Sequence, residues 1–333
     1  MPLLLTYQHI ESVLNMNECI EVLEELFKAP QANIWNPLRS VLQLPEDKTV
    51  WLFMPAYVPS LNTLAIKIVS EHAYNPVRYN LPKQAGEVIL HNPVNGQLLA
   101  IMDATIITML RTGALCGVAA KYLARKDSSN VGLLGSGLQA RSQLQAVCTV
   151  RKVKKVKVYS PTRQHREEFA KRMSNELLID VKAVDSAQEA VKDVDMVITA
   201  TNSSIPVIFG EWLDKGVHIN SIGTLPDRRE LDLSIIKKAN VIVVDKKESV
   251  FNEAGDIINA LKQGVIASSG VLELEEVVSG RKQGRKNEED ITLFKCVGFA
   301  LLDLVTAVKA YEYALQKGVG LQIPSLLNIK FIG

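Results

Sequence analysis

The chain has 333 residues, of which 47% are hydrophobic and 22% charged, a composition typical of a folded globular protein rather than a disordered or fibrous one. Its 38 basic and 36 acidic residues leave a net charge of +2, and only 6% of the residues are aromatic, which argues against a nucleic-acid partner and against an anionic membrane surface. The length predicts about two domains.

The first hundred residues predict a helix followed by strands. Residues 9–28 place apolar side chains at helical spacing, with Asn17 as an internal break. Short runs of alternating pattern follow at 39–44, 50–57, 64–70, 87–93 and 98–103. Turn residues separate these runs closely, and such a density of turns predicts antiparallel strands.

A long helix is predicted from about Ala104 to Arg125, with Asp103 or Thr105 as its cap. Strands are then expected at 130–135, 156–160, 181–184, 195–201, 216–223 and 240–245, and helices at 138–151, 165–176 and 187–193. Apolar strands that alternate with helices indicate a parallel sheet covered on both faces. The pattern predicts one more long helix over 293–318.

The sharpest local motif is VGLLGSGLQA at 131–140, in which a buried strand leads through Gly135-x-Gly137-x-x-Ala140 into a helix. The first glycine permits the tight turn, the second lets the backbone approach a pyrophosphate, and the small third residue lets the helix pack on the strand. The motif therefore predicts a dinucleotide site, and the alternative is a tight turn that binds no ligand.

The end of the following strand bears on the choice of cofactor. An acidic residue there would bind the ribose 2′-hydroxyl and repel a 2′-phosphate. The sequence has Ser160, Thr162 and Arg163 instead, which favours NADP(H) and leaves NAD(H) possible. The alternative is that Arg163 is only a solvated cation at the start of a helix.

Two cations stand in apolar surroundings. Arg111 lies on the apolar stripe of the long helix, which is costly unless the guanidinium meets an anion or reaches past a helix bend to water. Lys67 is central in the short apolar strand LAIKIVS, which suggests a functional buried charge unless the strand is an edge strand. Arg39, taken alone, would be a surface residue.

Neither a metal site nor a targeting segment is predicted. The four cysteines form no C-x-x-C pair, and the five histidines show no H-x-x-x-H spacing. The first residues carry no basic leader, and no apolar run reaches about 18 residues. We therefore expect a cytoplasmic protein without a membrane span.

Segments 101–124, 131–140, 207–223, 226–232 and 294–303 together resemble the ornithine cyclodeaminase/μ-crystallin family, with motifs closest to its ketimine reductase branch. The resemblance implies an α/β fold, in which 116–311 form a Rossmann-type doubly wound dinucleotide-binding domain. Residues 1–115 together with 312–333 would form a split α+β domain for substrate binding and dimerisation. It also implies a homodimer and a small imino-acid or amino-acid substrate.

The resemblance also implies roles for particular residues. The substrate would be bound by Arg39, Lys67, Arg111 and Thr224. The cofactor would be bound by Lys83, Gln84, Arg111, Gly135, Ser136, Gly137, Leu138, Gln139, Ser160, Thr162, Arg163, Thr201, Ile222, Gly223 and Cys296. Cys296 stands where many members of the family have serine.

The family includes more than one chemistry. Cyclodeamination needs a carboxylate in the loop after the strand at 216–223, and Thr224 occupies that place. Reduction of a cyclic imino acid can begin from a protonated imine and needs no strong base. We therefore expect an NAD(P)H-dependent imine reductase with Lys67 as catalytic residue. Asp227 is a second candidate proton carrier, although it could equally be a turn cap.

Two alternatives remain open. One is oxidation of an amino acid, as in ornithine cyclodeaminase or alanine dehydrogenase, with Asp227 as a displaced acid. The other is a non-catalytic protein that binds a small ligand in an NADPH-dependent way.

Overall fold

A computed structural model describes residues 1–29, 34–45 and 49–324. By its internal contacts the chain divides into two units. Unit 1 comprises Met1–Leu26, Pro30–Arg111 and Phe299–Gly333, and unit 2 comprises Phe27–Ala29 and Thr112–Gly298. The predicted domain boundaries lie at 115/116 and 311/312, close to the observed boundary at 111/112 and 13 residues after the one at 298/299. That the first unit binds substrate and forms the dimer stays a prediction.

Unit 1 is built on a mixed seven-stranded sheet. Its strands are β1 (Leu3–Leu5), β2 (Ser40–Leu44), β3 (Thr49–Val58), β4 (Thr63–Glu71), β5 (Gln84–His91), β6 (Leu98–Asp103) and β15 (Leu321–Gln322). The order in the sheet is β15-β1-β6-β5-β4-β3-β2. The strands from β2 to β6 pair antiparallel, as the turn density predicts, whereas β1 pairs with β6 in parallel.

The helices of unit 1 are interspersed with these strands along the chain. They are α1 (Tyr7–Val13), most of α2 (Met16–Lys28), α3 (Asn75–Arg78), the first part of α4 (Ala104–Leu123) and α12 (Ala300–Lys317). Helix α12 packs on β3, β4 and β5. Its buried face includes Leu301, Leu304 and Val308, so the apolar spacing of the helix accounts for its place on the sheet.

Unit 2 holds an eight-stranded sheet in which every pair is parallel. Its strands are β7 (Asn130–Leu134), β8 (Lys155–Tyr159), β9 (Asp180–Ala183), β10 (Met196–Thr199), β11 (His218–Ser221), β12 (Val241–Val244), β13 (Val271–Glu273) and β14 (Thr292–Lys295). The order is β13-β12-β14-β11-β10-β7-β8-β9, so the winding reverses between β7 and β10. This arrangement confirms the predicted Rossmann-type doubly wound sheet.

Helices cover both faces of this sheet. They are the remainder of α4, then α5 (Leu138–Val150), α6 (Arg163–Leu177), α7 (Ala187–Val191), α8 (Leu233–Lys238), α9 (Lys247–Glu253), α10 (Gly255–Lys262) and α11 (Leu274–Val278). Val197 of β10 belongs to one apolar cluster, and its neighbours Met196 and Ile198 belong to another. Because successive strand side chains point to opposite faces, both faces are buried.

The predicted helix over 293–318 is wrong in its first part. Residues Thr292–Lys295 form β14, and α12 begins only at Ala300. Gly298 has φ +76° and Phe299 is extended, so the backbone cannot continue as a helix through this stretch. The segment is buried on all sides, and a fully buried strand has the same unbroken apolar pattern as a buried helix.

The predicted N-terminal helix over 9–28 is two helices, with the break at Leu14 rather than at Asn17. The cap of α4 is Asp103, whose Oδ1 accepts the backbone N–H of Ile106 at 3.0 Å.

One helix within the described residues, α4, is long and apolar enough to pass a test for membrane spans by length and composition. Arg111 and Lys121 interrupt the apolar sequence of this helix, so it is not an unbroken apolar run of 18 residues. Of the most apolar 18-residue stretch of α4, 83% lies buried, as in the core helix of a globular protein. The helix is therefore weak evidence for a membrane span.

Candidate active site

Three buried charged side chains meet in unit 1. The Lys67 Nζ donates to Asp303 Oδ1 at 2.8 Å, and the Arg111 Nε donates to the same oxygen at 3.0 Å. Lys67 also reaches Thr108 Oγ1 at 3.5 Å. The exposed fraction is 5% for Arg111 and lower for the other two residues of the trio. Such a group is costly to bury, and functional sites are where proteins retain one.

The secondary structure explains why the trio forms. Lys67 lies in β4, which pairs with β3 on one side and β5 on the other, so the edge-strand alternative is wrong. Arg111 lies two turns into α4, and Asp303 lies in the first turn of α12. Sequence reasoning missed Asp303, although an acid within the apolar run ALLDLV carries the same signal as Lys67.

Burial and neighbouring charges set the protonation of this trio. Burial lowers the pKa of Lys67 to about 7, because the Asp303 carboxylate only partly offsets desolvation and the Arg111 and Arg39 cations lower the value further. Burial would raise the pKa of Asp303, but the Arg111 and Lys67 cations outweigh it and hold that pKa below its usual range. Lys67 can therefore hold or release a proton near neutral pH.

Some hydrogen-bonding capacity in the trio is left over. The Nε of Arg111 donates to Asp303. The two terminal nitrogens of Arg111 have no hydrogen-bond partner within residues 1–29, 34–45 and 49–324. An Arg edge formed by two N–H groups binds a carboxylate in bidentate fashion. The arrangement suits a small carboxylic acid that also carries a proton-accepting nitrogen.

The predicted dinucleotide turn follows β7 in unit 2. Gly135 has φ +114°, and a Cβ there would collide with the carbonyl oxygen of Ala200, so the turn requires glycine. A Cβ on Gly137 would meet nothing within 4 Å, which leaves open space above the turn. Helix α5 begins at Leu138, and no described side chain caps its first amides. Free amides beside open space at a helix start fit a pyrophosphate.

The loop after β8 carries the residues on which the predicted choice of cofactor depends. The Ser136 hydroxyl donates to the Ser160 Oγ at 2.9 Å, which ties this loop to the glycine turn. Arg163 is 77% exposed at its side chain and pairs with Glu167 of its own helix at 2.7 Å. The buried cation is instead Arg166, which donates to the Ser160 carbonyl at 3.1 Å and to Asp185 at 2.7 Å. Sequence reasoning did not single out Arg166.

A buried carboxylate organises the ends of β10 and β11. Glu230 accepts from Thr199 Oγ1 and Ser221 Oγ at 2.8 Å each. It also accepts the backbone N–H groups of Thr201 at 2.6 Å and Gly223 at 2.7 Å. A Cβ on Gly223 would collide with the Glu230 side chain. Glu230 thus fixes two of the residues that the family resemblance assigns to the cofactor.

Two further buried charges support Glu230. Asp256 Oδ1 accepts the backbone N–H of Glu230 at 2.9 Å, and its Oδ2 accepts from Lys295 Nζ at 2.5 Å. Lys295 also donates to Ser221 Oγ at 2.9 Å and lies 3.9 Å from Glu230 Oε2. The segments that carry the family resemblance contain Glu230 and Lys295 but not Asp256, and no role was predicted for any of the three. The sequence signal that could have found these residues is a charged residue next to a run of apolar residues.

The other predicted site residues fall in several places. Lys83 and Gln84 both contact Glu71, at 3.0 and 3.2 Å, where β4 ends and β5 begins. Arg39 and Thr224 are half-buried, and Asp227 is exposed.

The remaining cofactor candidates lie at the strand ends and turns of unit 2. The backbone N–H of Ile222 donates to the Thr199 carbonyl at 3.2 Å. The backbone N–H of Cys296 donates to the Ser221 carbonyl at 3.1 Å. Leu138 and Thr162 are exposed, and Gln139 is half-buried.

Comparison with known proteins identifies the family. The sequence profile of the ornithine cyclodeaminase/mu-crystallin family matches residues 1–318. The chain belongs to this family. The predicted family is therefore confirmed.

Three similar proteins illustrate the range of the family. Delta(1)-pyrroline-2-carboxylate reductase of Thermococcus litoralis, solved in complex with NADH and L-proline, has a TM-score of 0.93 and 44% identity over 96% of this chain and 100% of its own. An archaeal alanine dehydrogenase dimer with bound NAD has a TM-score of 0.89 and 36% identity over 97% of this chain and 99% of its own. Ketimine reductase mu-crystallin of Rattus norvegicus is 36% identical over 86% of this chain and 87% of its own.

Proposed function

We propose that this chain is an NAD(P)H-dependent reductase of a small cyclic imino acid, such as Δ1-pyrroline-2-carboxylate or Δ1-piperideine-2-carboxylate. The observation that carries the proposal is the similarity, at 44% identity over nearly the whole chain, to a pyrroline-2-carboxylate reductase bound to NADH and L-proline. The similarity to ketimine reductase mu-crystallin supports the same reaction class. This reaction class agrees with the sequence prediction of an oxidoreductase that acts on carbon–nitrogen bonds.

The buried trio of unit 1 supplies the groups that such a substrate needs. The two terminal nitrogens of Arg111 bind the substrate carboxylate, with Arg39 and Thr224 as further candidates. Lys67, protonated below a pH of about 7, donates its proton to the imine nitrogen. When bound, NAD(P)H supplies the hydride that reduces the imine carbon and leaves as NAD(P)+. The imine thus gains one hydride and one proton and becomes a cyclic amino acid.

Unit 2 supplies the cofactor site. The turn of Gly135, Ser136 and Gly137 would hold the pyrophosphate against the first amides of α5. Ser160 and Thr162 would lie by the adenosine ribose, and the strand ends fixed by Glu230 would lie by the nicotinamide. The roles of Lys83, Gln84, Leu138, Gln139 and Cys296 remain predictions of the family resemblance.

The finer proposal on cofactor choice is a preference for NADP(H). It is supported by the absence of an acid from 159 to 163, together with the cation Arg163 at the start of α6. A 2′-phosphate would have to draw Arg163 away from Glu167, and because that ion pair is exposed the exchange costs little.

Amino-acid oxidation is the second candidate, favoured by the similarity to alanine dehydrogenase. Cyclodeamination of ornithine has less support, because Thr224 cannot act as a base near neutral pH and Asp227 is exposed.

The test is to supply the purified protein with NADPH or NADH and each cyclic imino acid, and to follow nicotinamide absorbance. Proline or pipecolate should form, with NADPH bound about tenfold more tightly than NADH, as one charge-assisted contact allows. Alanine with NAD+ and ornithine with NAD+ serve as comparison reactions. Ammonia release from either as the main activity would overturn the proposal, and NADPH binding without turnover would favour a non-catalytic ligand-binding protein.

A further inference from the structure

Asp303 differs from Glu230 and Asp256, two buried carboxylates of unit 2, in what it contacts. Glu230 accepts two backbone N–H groups, and Asp256 likewise accepts those of Glu230 and Leu231, so both fix the backbone. Among the described residues, Asp303 accepts hydrogen bonds from the cations Lys67 and Arg111 alone, both on Oδ1. Its Oδ2 is buried and has no hydrogen-bond partner in the part of the chain that the structure describes.

We propose that Asp303 is a positioning residue that holds Lys67 as the proton donor and turns the terminal nitrogens of Arg111 toward the substrate carboxylate. A carboxylate that served the fold alone would be expected to accept backbone N–H groups or caps, as the two carboxylates above do. Asp303 instead sits in the first turn of α12 with its charge directed at two side chains from β4 and α4. The proposal rests on the proposed function, in which Lys67 donates a proton.

The geometry gives Asp303 two effects. A hydrogen bond of 2.8 Å fixes the Lys67 ammonium at the end of a flexible four-carbon chain, which would otherwise sample several positions. Occupying Nε of Arg111 fixes the plane of the guanidinium and leaves its other edge for a bidentate contact. Both effects place groups for reaction rather than take part in it.

Asp303 also keeps Lys67 charged. The groups that face Lys67 are Asp303 from α12, Arg111 and Thr108 from α4, and Arg39 from the segment before β2. Burial, Arg111 and Arg39 all lower the pKa of Lys67, and Asp303 alone among these charges raises it. Without the carboxylate, the pKa of Lys67 must fall below about 7, and the proton is lost at a lower pH.

The variant Asp303→Asn tests this, because it removes the charge and keeps the shape. The alkaline limb of kcat/KM for imino-acid reduction should move to lower pH by about one to three units, the usual effect of one opposite charge at this distance. The substrate imine titrates identically with every variant. A difference in the alkaline limb between variant and wild type therefore measures a change in the pKa of a group on the enzyme. The 13Cε signal of Lys67, assigned by its loss in Lys67→Met, should show the same shift without any substrate.

Asp303→Glu keeps the charge but lengthens the side chain by one methylene. Its alkaline limb should stay near that of the wild type, while kcat/KM falls about tenfold or more because Lys67 is displaced. This variant decides the question if Asp303→Asn does not fold. Asp195→Asn, which removes the negative charge that pairs with Arg125 at 2.5 Å in unit 2, is the matched control and should change the melting temperature but not the pH profile.

The outcomes separate the two proposals. If the wild type reduces no imino acid, the proposed function fails, and the Lys67 titration still tests Asp303. If Lys67 titrates alike in the wild type and in Asp303→Asn, or if Asp303→Glu is as active as the wild type, Asp303 positions nothing and the inference is wrong.

Discussion

The Lys67 ammonium contacts Asp303 and Thr108 and no other side chain among the residues that the structure describes, so removing its charge breaks few contacts. Methionine keeps the length and apolar packing of the lysine stem. In Lys67→Met we expect Asp303 to stay paired with Arg111, so the protein folds. The value of kcat/KM for imine reduction should fall about a hundredfold or more, as for loss of a placed proton donor.

Kinetics and melting temperature measured side by side check this prediction. Lys157→Met, the same change in β8 of unit 2, serves as the control and should leave kcat/KM near that of the wild type. A folded Lys67→Met enzyme with nearly full activity would contradict the proton-donor role.

At the same scale, the sequence predicts the cations of the site but not their partner. Lys67 and Arg111 were recognisable because a charge within an apolar run is costly. Asp303 lies 236 residues from Lys67 along the chain, and nothing in the local pattern of either indicates that they meet. The four acceptor contacts of Glu230 were equally hidden, since they join separate strand ends that only the sheet order brings together.

The strand ends of β10 and β11 depend on Glu230 as an acceptor on both of its oxygens. In Glu230→Gln, either orientation of the amide places its NH2 against a backbone N–H, of Thr201 or of Gly223. We expect the free energy of unfolding to fall by about 2 kcal/mol, the cost of buried polar groups left unpaired. Dinucleotide affinity should fall about tenfold because the strand ends shift.

Calorimetry and titration of cofactor fluorescence measure the two effects. Glu211→Gln changes an exposed acid of the same unit and should alter neither. Unchanged cofactor affinity in a destabilised Glu230→Gln variant would limit Glu230 to a role in stability.

Among the elements, those with a clear period were predicted well. The strands at 50–57, 64–70 and 98–103 and the helix that begins at Ala104 match the structure closely. Strands β1, β13 and β15 have three residues or fewer, too short to show alternation, and were missed. Strand β14 was merged into α12 because its four residues are all buried and so show no alternation at all.

At the scale of the whole molecule, unit 1 ends in an exposed edge. Strand β2 closes the sheet order, and all five of its residues are exposed, including Val41 at 60% and Leu42 at 50%. An apolar edge strand needs covering to avoid unspecific association. The related alanine dehydrogenase is a dimer. We therefore expect a homodimer in solution, with β2 covered by the partner.

Light scattering at micromolar concentration should give twice the mass of one chain. Val41→Lys places a charge on the edge and should shift the protein toward the monomer, since a buried unpaired charge opposes association. Leu178→Lys, at an exposed apolar position of unit 2, is the control and should remain dimeric. A wild-type protein that scatters as a monomer would contradict the prediction. A Val41→Lys variant that stays dimeric would place the interface away from β2.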